Sequence, residues 1–270
     1  MRWRLKSYYR SASKEALDSN PMEKIFHYTS INSLAYILRD KRIKLNRLDH
    51  VNDPDEGKTS DWGDLSKFFY VTCWTNNTNE NLALWNMYTP NMRGVRIGMD
   101  SNFVGKHIVS FKYVKLINSN NIGCYVLEEG DVSKVYNFSI FPFMAVNYLK
   151  ESEFSLPNVH IYKPMDELPH KYECGKIGIT KSDYWEIENE LRYRIQFQPM
   201  ELLNDGKLNH PNAHFVQFDY LFCEINPESY QNMEIRLGPK CDESDYILVQ
   251  SLLENYNPKA KLERSYIRIK

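Results

Sequence analysis

The sequence lacks an excess of charge of either sign. Its 270 residues carry 34 Lys and Arg against 35 Asp and Glu, which gives a formal net charge of -1. A chain with this balance has no overall positive field that would gather nucleic acid or an anionic membrane surface. Any polyanion would therefore have to be bound by a local patch of the surface.

Closely spaced cysteines and long apolar runs are also missing. The five cysteines are scattered, and no two stand at the short spacing of a thiolate metal site or a redox motif. The basic start of the chain is not followed by an apolar run of the kind that a secretory signal or a membrane span needs. We therefore expect a reduced, cytoplasmic protein with no membrane partner and no metal site.

The glycine-rich phosphate loops of P-loop and Rossmann proteins are absent from the sequence as well. A dinucleotide would have to be bound without a glycine-rich loop.

The sequence does contain a 42 % share of hydrophobic residues, which is enough to bury a sizeable core. Basic residues gather at both ends, so we predict a basic N-terminal extension over 1–22, a single domain over 23–257 and a basic C-terminal tail over 258–270.

Local patterns predict a mixture of strands and helices. A short apolar strand over 25–28 is followed by Thr29 or Ser30 as the N-cap of a helix with apolar residues at helical spacing. The same reasoning gives the remaining main elements. Strands are predicted near 43–45 and over 69–74, 94–99 and 185–195, and helices over 82–88, 135–149 and 244–256.

Three carboxylates stand close together in a turn-rich segment. Asp53, Asp55 and Glu56 fall within four residues, beside Pro54 and Gly57. Such a loop is typical of a solvated turn, but hard oxygen ligands at this density also suit a divalent cation. Both interpretations stay open from the sequence.

A predicted strand over 185–195 carries a row of charged residues. Its period of two places glutamates together with Arg192 and Arg194 on one face and apolar residues on the other. Neighbouring carboxylates raise the pKa of at least one member unless cations offset their repulsion. The row therefore suits acid–base chemistry or the stabilisation of a cation, and its alternative is a salt-bridged strand face. The glutamates of this row are Glu186, Glu188 and Glu190.

Seven short motifs follow one another between about Phe26 and Glu254. They are His27-Tyr28-Thr29, Asn52-Asp53-Pro54 with Glu56, Tyr70 to Trp74, Trp85 to Tyr88, Gly94-Val95, Trp185 with Glu188 to Arg192, and Leu237-Gly238-Pro239. Their order resembles that of a widespread family of bacterial domains of unassigned function, and the layout is also similar to that of the ADP-ribosyltransferase superfamily. The resemblance implies an α+β fold with a split, mostly antiparallel β-sheet and flanking helices.

The resemblance implies an NAD-dependent ADP-ribosyltransferase and gives each motif a role. Glu190 would stabilise positive charge on the ribose of NAD, and Glu188 would orient or deprotonate the acceptor. His27 would bond the adenosine-side ribose with help from Thr29. Tyr88, with Tyr28 as the alternative, would stack on nicotinamide. Trp85, three residues before Tyr88 on one helix face, and Arg192 complete the expected NAD-binding set.

The resemblance also implies a biological setting and leaves two other classes of function to weigh. A macromolecular acceptor such as RNA or DNA, a toxin role in phage defence or a toxin–antitoxin system, and an antitoxin partner are family expectations. A metal-dependent nuclease would instead gather Asp53, Asp55, Glu56, Glu188 and Glu190 around magnesium. A binding module without catalysis would use the aromatic residues as contact surface and the glutamates as structural groups.

Overall fold

The protein is an α+β structure built on one large, mostly antiparallel sheet with few helices. The computed structural model describes residues 24–110, 115–117, 122–129, 132–153, 155–161, 171–172, 174–202, 208–209 and 219–269. The predicted extension over 1–22 lies outside these residues. None of the helices in the described ranges is long and apolar enough to cross a membrane.

The elements alternate irregularly along the chain. The helices are α1 (Ile31–Asp40), α2 (Leu82–Tyr88), α3 (Pro227–Gln231) and α4 (Glu243–Tyr256). The strands are β1 (Lys24–Thr29), β2 (Arg42–Arg47), β3 (Lys58–Thr59), β4 (Gly63–Asp64), β5 (Phe69–Thr75), β6 (Val95–Asp100), β7 (Val104–Ser110), β8 (Lys115–Ile117), β9 (Ile122–Glu129), β10 (Val132–Ala145), β11 (Asn147–Leu149), β12 (His160–Ile161), β13 (Lys171–Tyr172), β14 (Thr180–Ser182), β15 (Glu190–Leu202), β16 (Leu208–Asn209), β17 (Tyr220–Ile225), β18 (Glu234–Leu237) and β19 (Lys261–Arg264).

The large sheet branches at β5. Strand β15 pairs along the whole of β5, from Glu190 opposite Thr75 to Gln196 opposite Phe69. The other edge of β5 is shared, since Thr75 is also in register with Phe26 of β1 while β2 pairs near Tyr70. One arm continues as β1–β6–β18–β19 and the other as β2–β17–β7–β8. The branch brings β1 and β15 to opposite edges of the same short strand.

The main core lies where α1 and α4 cover the β1–β6–β18 arm. Helix α1 begins at the Ser30 N-cap, whose hydroxyl accepts a hydrogen bond from the Ser33 amide, and it buries an apolar stripe that includes Leu34 and Leu38. Helix α4 begins at Asp242 with a capping box and buries Val249 and Leu253 against the same core. Each fully buried aliphatic side chain contributes about 1.5–3 kcal/mol. The predicted strand–helix start and the predicted last helix are confirmed.

Two predicted elements are wrong. Residues 135–149 were expected to be helical, but β10 pairs with β9 and β15 and extends to Ala145. Aromatic and β-branched residues fit a pleated surface, and pairing with distant strands decided the conformation of this segment.

The predicted strand over 185–195 begins only at Glu190. Asp183–Glu188 is instead a 3-10 helix, and its C-cap Asn189 lies in the left-handed region, with φ 42°. Strand β19 also lies within the segment predicted as a tail and pairs with β18.

At Gly94 the backbone lies very close to the end of β1 and to Thr89. A Cβ added there would lie 2.5 Å from the Thr29 carbonyl oxygen and 2.6 Å from Thr89 Cβ. We expect Gly94→Ala to lower the free energy of unfolding by about 1–3 kcal/mol, because backbone atoms cannot move aside cheaply. Gly175→Ala is the matched control, since its Cβ would meet nothing within 4 Å. Equal urea denaturation midpoints for the two variants would contradict the description of this contact.

Candidate active site

One open cleft is lined by residues from β1, β5, α2, the 3-10 helix Asp183–Glu188 and the start of β15. The sheet order places β1 and β15 on either side of β5. Helix α2 is capped by Asn81, whose side chain accepts hydrogen bonds from the amides of Ala83 and Leu84, and its Leu84 and Tyr88 line the cleft. Of the residues predicted for the site, the cleft brings together His27, Tyr28, Tyr88, Glu188 and Glu190.

His27 is held in one tautomer. Its Nδ1–H donates to the Cys73 carbonyl oxygen at 2.8 Å, so Nε2 carries no proton in the neutral ring. The ring packs against Trp74, with 5.2 Å between ring centroids. Burial lowers the pKa of His27 below its ordinary value of 6.5, an effect that the Cys73 hydrogen bond opposes only in part. At neutral pH the imidazole is therefore uncharged, with Nε2 as a hydrogen-bond acceptor.

Glu190 is an ionised carboxylate held by two cations. Arg192, on the same face of β15, donates from Nε and Nη2, each at 2.8 Å, and Lys181 Nζ lies 3.3 Å from Oε2. Burial alone would raise the pKa of Glu190, but the Arg192 and Lys181 charges outweigh it and lower the pKa to about 2. The negative charge of Glu190 is thus kept at every physiological pH.

Glu188 lies two residues away in a different electrostatic environment. It ends the 3-10 helix, and the left-handed backbone of Asn189 turns the chain into β15. Its Oε2 accepts from Lys181 at 2.7 Å, and its Oε1 accepts a hydrogen bond from the Tyr88 hydroxyl. Burial is the largest influence and raises the pKa of Glu188, with Lys181 opposing it and Glu190 adding to it. Glu188 therefore takes up a proton more readily than an ordinary glutamate.

A third carboxylate, Glu56, binds the same two cations, Arg192 and Lys181. Its two oxygens accept from Arg192, with Nη2–Oε1 at 2.9 Å, and Lys181 Nζ lies 3.2 Å from Oε1. Glu56, Lys181 and Arg192 are almost fully buried. With Glu188 and Glu190 included, three carboxylates face two cations, so the ionised network carries a formal charge of -1. We refer to these five residues as the buried ion network.

The acidic turn does not gather its carboxylates at one point. Asp53 accepts from the Asp55 amide at 3.0 Å, while Asp55 points outward to Lys58 at 2.9 Å. Asp53 and Glu56 are both buried, and the oxygens of Glu56 are taken by Arg192 and Lys181. Among the described residues, no group of three or more His, Cys, Asp or Glu side chains is arranged to hold a metal ion. The geometry thus favours the interpretation of this segment as a structural turn that supplies one network member.

Three residues of the expected NAD-binding set do not line the cleft: Thr29, Trp85 and Arg192. Trp85 is fully buried, donates from Nε1 to Glu80 at 3.0 Å and packs edge-on against Tyr28. Thr29 ends β1 opposite Val95 and is not among the residues that line the cleft. Arg192 is also buried, is not among the residues that line the cleft, and donates to Glu190, which does line it.

Sequence reasoning missed Lys181 and Tyr148. Lys181 lies on β14, which forms a two-stranded sheet with β11. A single lysine in a polar stretch gives no sequence pattern that would indicate a functional role. Tyr148 accepts a hydrogen bond from the Glu190 amide at 2.9 Å through its hydroxyl and so fixes the start of β15. Lys181 stands four residues before Trp185, and Tyr148 lies in the segment predicted as a helix, so their position in the fold identifies them and no sequence signal does.

Comparison of the chain with protein-family models, with curated proteins and with solved structures found no match.

The buried ion network predicts a specific loss of stability in acid. Because the folded pKa of Glu190 is about 2 and its ordinary value is 4.5, its contribution is present above pH 4.5 and is lost as the pH falls towards 2. Glu190→Gln should remove this part of the acid sensitivity. At pH 7 it should cost about 3–5 kcal/mol, since it leaves buried cations with one partner fewer. Unfolding free energies measured across this pH range provide the test.

Glu186→Gln is the control for that experiment, because Glu186 is an exposed residue of the same 3-10 helix. It should leave both the stability at pH 7 and the acid sensitivity unchanged. If Glu190→Gln and Glu186→Gln gave the same pH profile as the parent protein, the charge assignment of Glu190 would be wrong.

Proposed function

We propose that this protein transfers ADP-ribose from NAD to a macromolecular acceptor. One observation carries the proposal: His27, Tyr88, Glu188 and Glu190, which come from three separate parts of the chain, line a single cleft. These residues supply the proposed reaction with a neutral acceptor nitrogen, an aromatic ring and two carboxylates whose pKa values are shifted in opposite directions. The resemblance of the motif order to ADP-ribosyltransferases supports the same assignment.

Glu190 has the charge that the bond-breaking step needs. As the bond between the anomeric carbon and the nicotinamide nitrogen breaks, its electron pair leaves with nicotinamide and positive charge develops on the ribose. Glycosidases meet the same electronic problem with a carboxylate next to the sugar. An ionised carboxylate fixed in place by Arg192 stabilises that charge without reorganising. The acceptor nucleophile then forms the new bond to the anomeric carbon.

Glu188 suits the proton that the acceptor gives up. Its raised pKa moves it towards the range in which a carboxylate acts as a general base. Tyr88 lies at the mouth of the cleft, with 38 % of its surface exposed, and its hydroxyl is held by Glu188. Its ring is thus positioned to stack on nicotinamide, and His27 Nε2 can accept a hydrogen bond from a ribose hydroxyl.

RNA and DNA are the acceptors that we propose first, with a protein side chain as the alternative. A toxin role in phage defence or a toxin–antitoxin system, together with an antitoxin partner, is an extension of this proposal that rests on the resemblance alone. NAD hydrolysis is the side reaction to expect, because water can capture the same ribosyl cation.

The decisive assay incubates the protein with labelled NAD and with RNA, single-stranded DNA or lysate protein in turn. We expect nicotinamide release and label transfer to one acceptor, and a loss of at least about a hundredfold in Glu190→Gln, as for removal of a group that stabilises transition-state charge. Glu186→Gln, two residues before Glu188 and exposed, should retain full activity. Because Glu190→Gln is also expected to be less stable, circular dichroism at the assay temperature checks that each variant is folded before its activity is compared.

Two results would overturn the proposal. One is the absence of NAD consumption with every acceptor class by a protein that is folded. The other is activity that Glu190→Gln and Glu188→Gln leave unchanged, as expected if the buried ion network is structural and the protein is a binding module.

Tyr88→Phe provides a test of the general-base assignment. The Tyr88 hydroxyl lowers the pKa of Glu188 by donating a hydrogen bond to it, so its removal should raise that pKa further. The acid limb of the pH–rate profile should then move to higher pH in Tyr88→Phe, while the phenyl ring still stacks on nicotinamide. A lower rate with an unshifted acid limb would assign the proton transfer to another group.

A further inference from the structure

The segment that follows β19 packs against residues that also line the active-site cleft. Ile267 packs on an apolar cluster that consists of Tyr28, Leu84 and Trp85. Two members of this cluster, Tyr28 and Leu84, are cleft residues as well. The same two side chains thus contribute to the wall of the cleft and to the cluster that Ile267 covers. We call residues 265–267 the strap.

A buried carboxylate joins the strap to helix α2. Glu80 precedes the helix, and only 1 % of its side chain is exposed. It accepts hydrogen bonds from the Ser265 hydroxyl at 2.5 Å, the Tyr266 amide at 2.9 Å and Trp85 Nε1 at 3.0 Å. Arg236 Nη1 lies 3.7 Å from its Oε1. Because a buried charge needs such partners, the strap supplies two of the donors that stabilise Glu80 in the folded protein.

Helix α2 depends on its packing for its position. It is seven residues long, and isolated helices shorter than about 12 residues are marginal in water. Its buried residues are Leu84 and Trp85, and both belong to the cluster on which Ile267 packs. This cluster is separate from the main core beneath α1 and α4. Loss of the strap would therefore weaken the packing that fixes α2.

Both ends of α2 are bonded to the 3-10 helix Asp183–Glu188. At the first turn, the Asn81 cap donates from Nδ2 to the Ile187 carbonyl oxygen at 2.8 Å. Tyr88 is the last residue of α2, and its hydroxyl donates to Glu188 Oε1. A shift of α2 would therefore reach the carboxylates of the cleft.

The strap is held by few contacts of its own. Of its three residues, Ile267 packs in an apolar cluster, whereas Tyr266 keeps 67 % of its surface exposed. The Tyr266 ring lies over Arg236, with 4.0 Å between the guanidinium carbon and the ring centroid. Strand β19, which leads into the strap, is a four-residue strand at the edge of the sheet. Segments with few buried apolar contacts open at low cost, so the strap can detach while the core stays folded.

We propose that the strap is a conformational device that couples the segment after β19 to the cleft. With the strap in place, α2 holds Tyr88 against Glu188. When the strap detaches, Glu80 loses two donors and the apolar cluster loses Ile267, so α2 loosens and Tyr88 with it. The coupling itself does not require catalysis. Its effect on NAD turnover rests on the proposed function, in which the Tyr88 ring stacks on nicotinamide.

Hydrogen exchange measured by mass spectrometry tests the coupling in the absence of NAD. The amides from Trp85 to Tyr88 bond to carbonyl groups one turn earlier, so their exchange reports the opening of α2. Ile267→Ala should raise the exchange rate of these amides at least about fivefold, because it removes the apolar contact with the cluster. Ser265→Ala removes one hydrogen bond to Glu80 and should raise the rate by a smaller factor.

Ile269→Ala is the matched control for these substitutions. Ile269 is an aliphatic residue just beyond the strap, and 37 % of its surface is exposed. Its substitution should leave the exchange of α2 as it is in the parent protein. The amides of α1 are the internal reference, because α1 packs in the main core and should exchange at the same rate in every variant.

Unchanged exchange of α2 in Ile267→Ala would overturn the proposal. An equal rise in α1 and α2 would overturn it too, because the substitution would then destabilise the whole domain. If the protein consumes NAD, Ile267→Ala should also raise the KM for NAD, and an unchanged KM would overturn the role of the strap in catalysis. A protein whose α2 responds to Ile267→Ala but that never consumes NAD would refute the transferase proposal and leave the coupling standing.

Discussion

The buried ion network is the constraint on which the rest of the site depends. Removing a charged group from water costs several kcal/mol unless it is paired and hydrogen-bonded. Arg192 and Lys181 are buried, so the chain must bring carboxylates to them. Glu56 arrives from the turn after β2, Lys181 from β14, and Glu188 and Glu190 from the two sides of Asn189. Four segments are thus fixed relative to one another by the need to neutralise two cations.

The same network gives two adjacent carboxylates different chemistry. Glu190 has Arg192 on both oxygens and Lys181 on one, and the sum of these attractions exceeds the cost of burial. Within the described part of the chain Glu188 pairs with one cation, Lys181, and burial has the larger effect on its pKa. A pair whose environments push the pKa values apart can divide charge stabilisation from proton transfer, which is the arrangement that the proposed reaction uses. The division depends on the position of one arginine on β15.

Local signals in the sequence predicted the parts of the fold that local physics decides. Side chains close to one another in sequence determine strand β1, helix α1 with its Ser30 N-cap, and helices α2 and α4. The helix expected over 135–149 and the strand expected from 185 failed because pairing with β15 and the left-handed turn at Asn189 are decided elsewhere. His27 and Glu190 stand in short sequence motifs, so they could be named as site residues in advance. Lys181 reaches the site only through the packing of β14, so the sequence could not indicate it.

Backbone pairing, more than side-chain packing, determines the width of the cleft. Thr75 is in register with Phe26 on one edge and with Glu190 on the other, so the strands that carry His27 and Glu190 are two strand spacings apart. Neighbouring strands lie about 4.8 Å apart, which places these backbones about 10 Å from each other. The ladder spans this distance whatever side chains fill the core. A cleft at the branch of the sheet can therefore keep its geometry while the residues around it change.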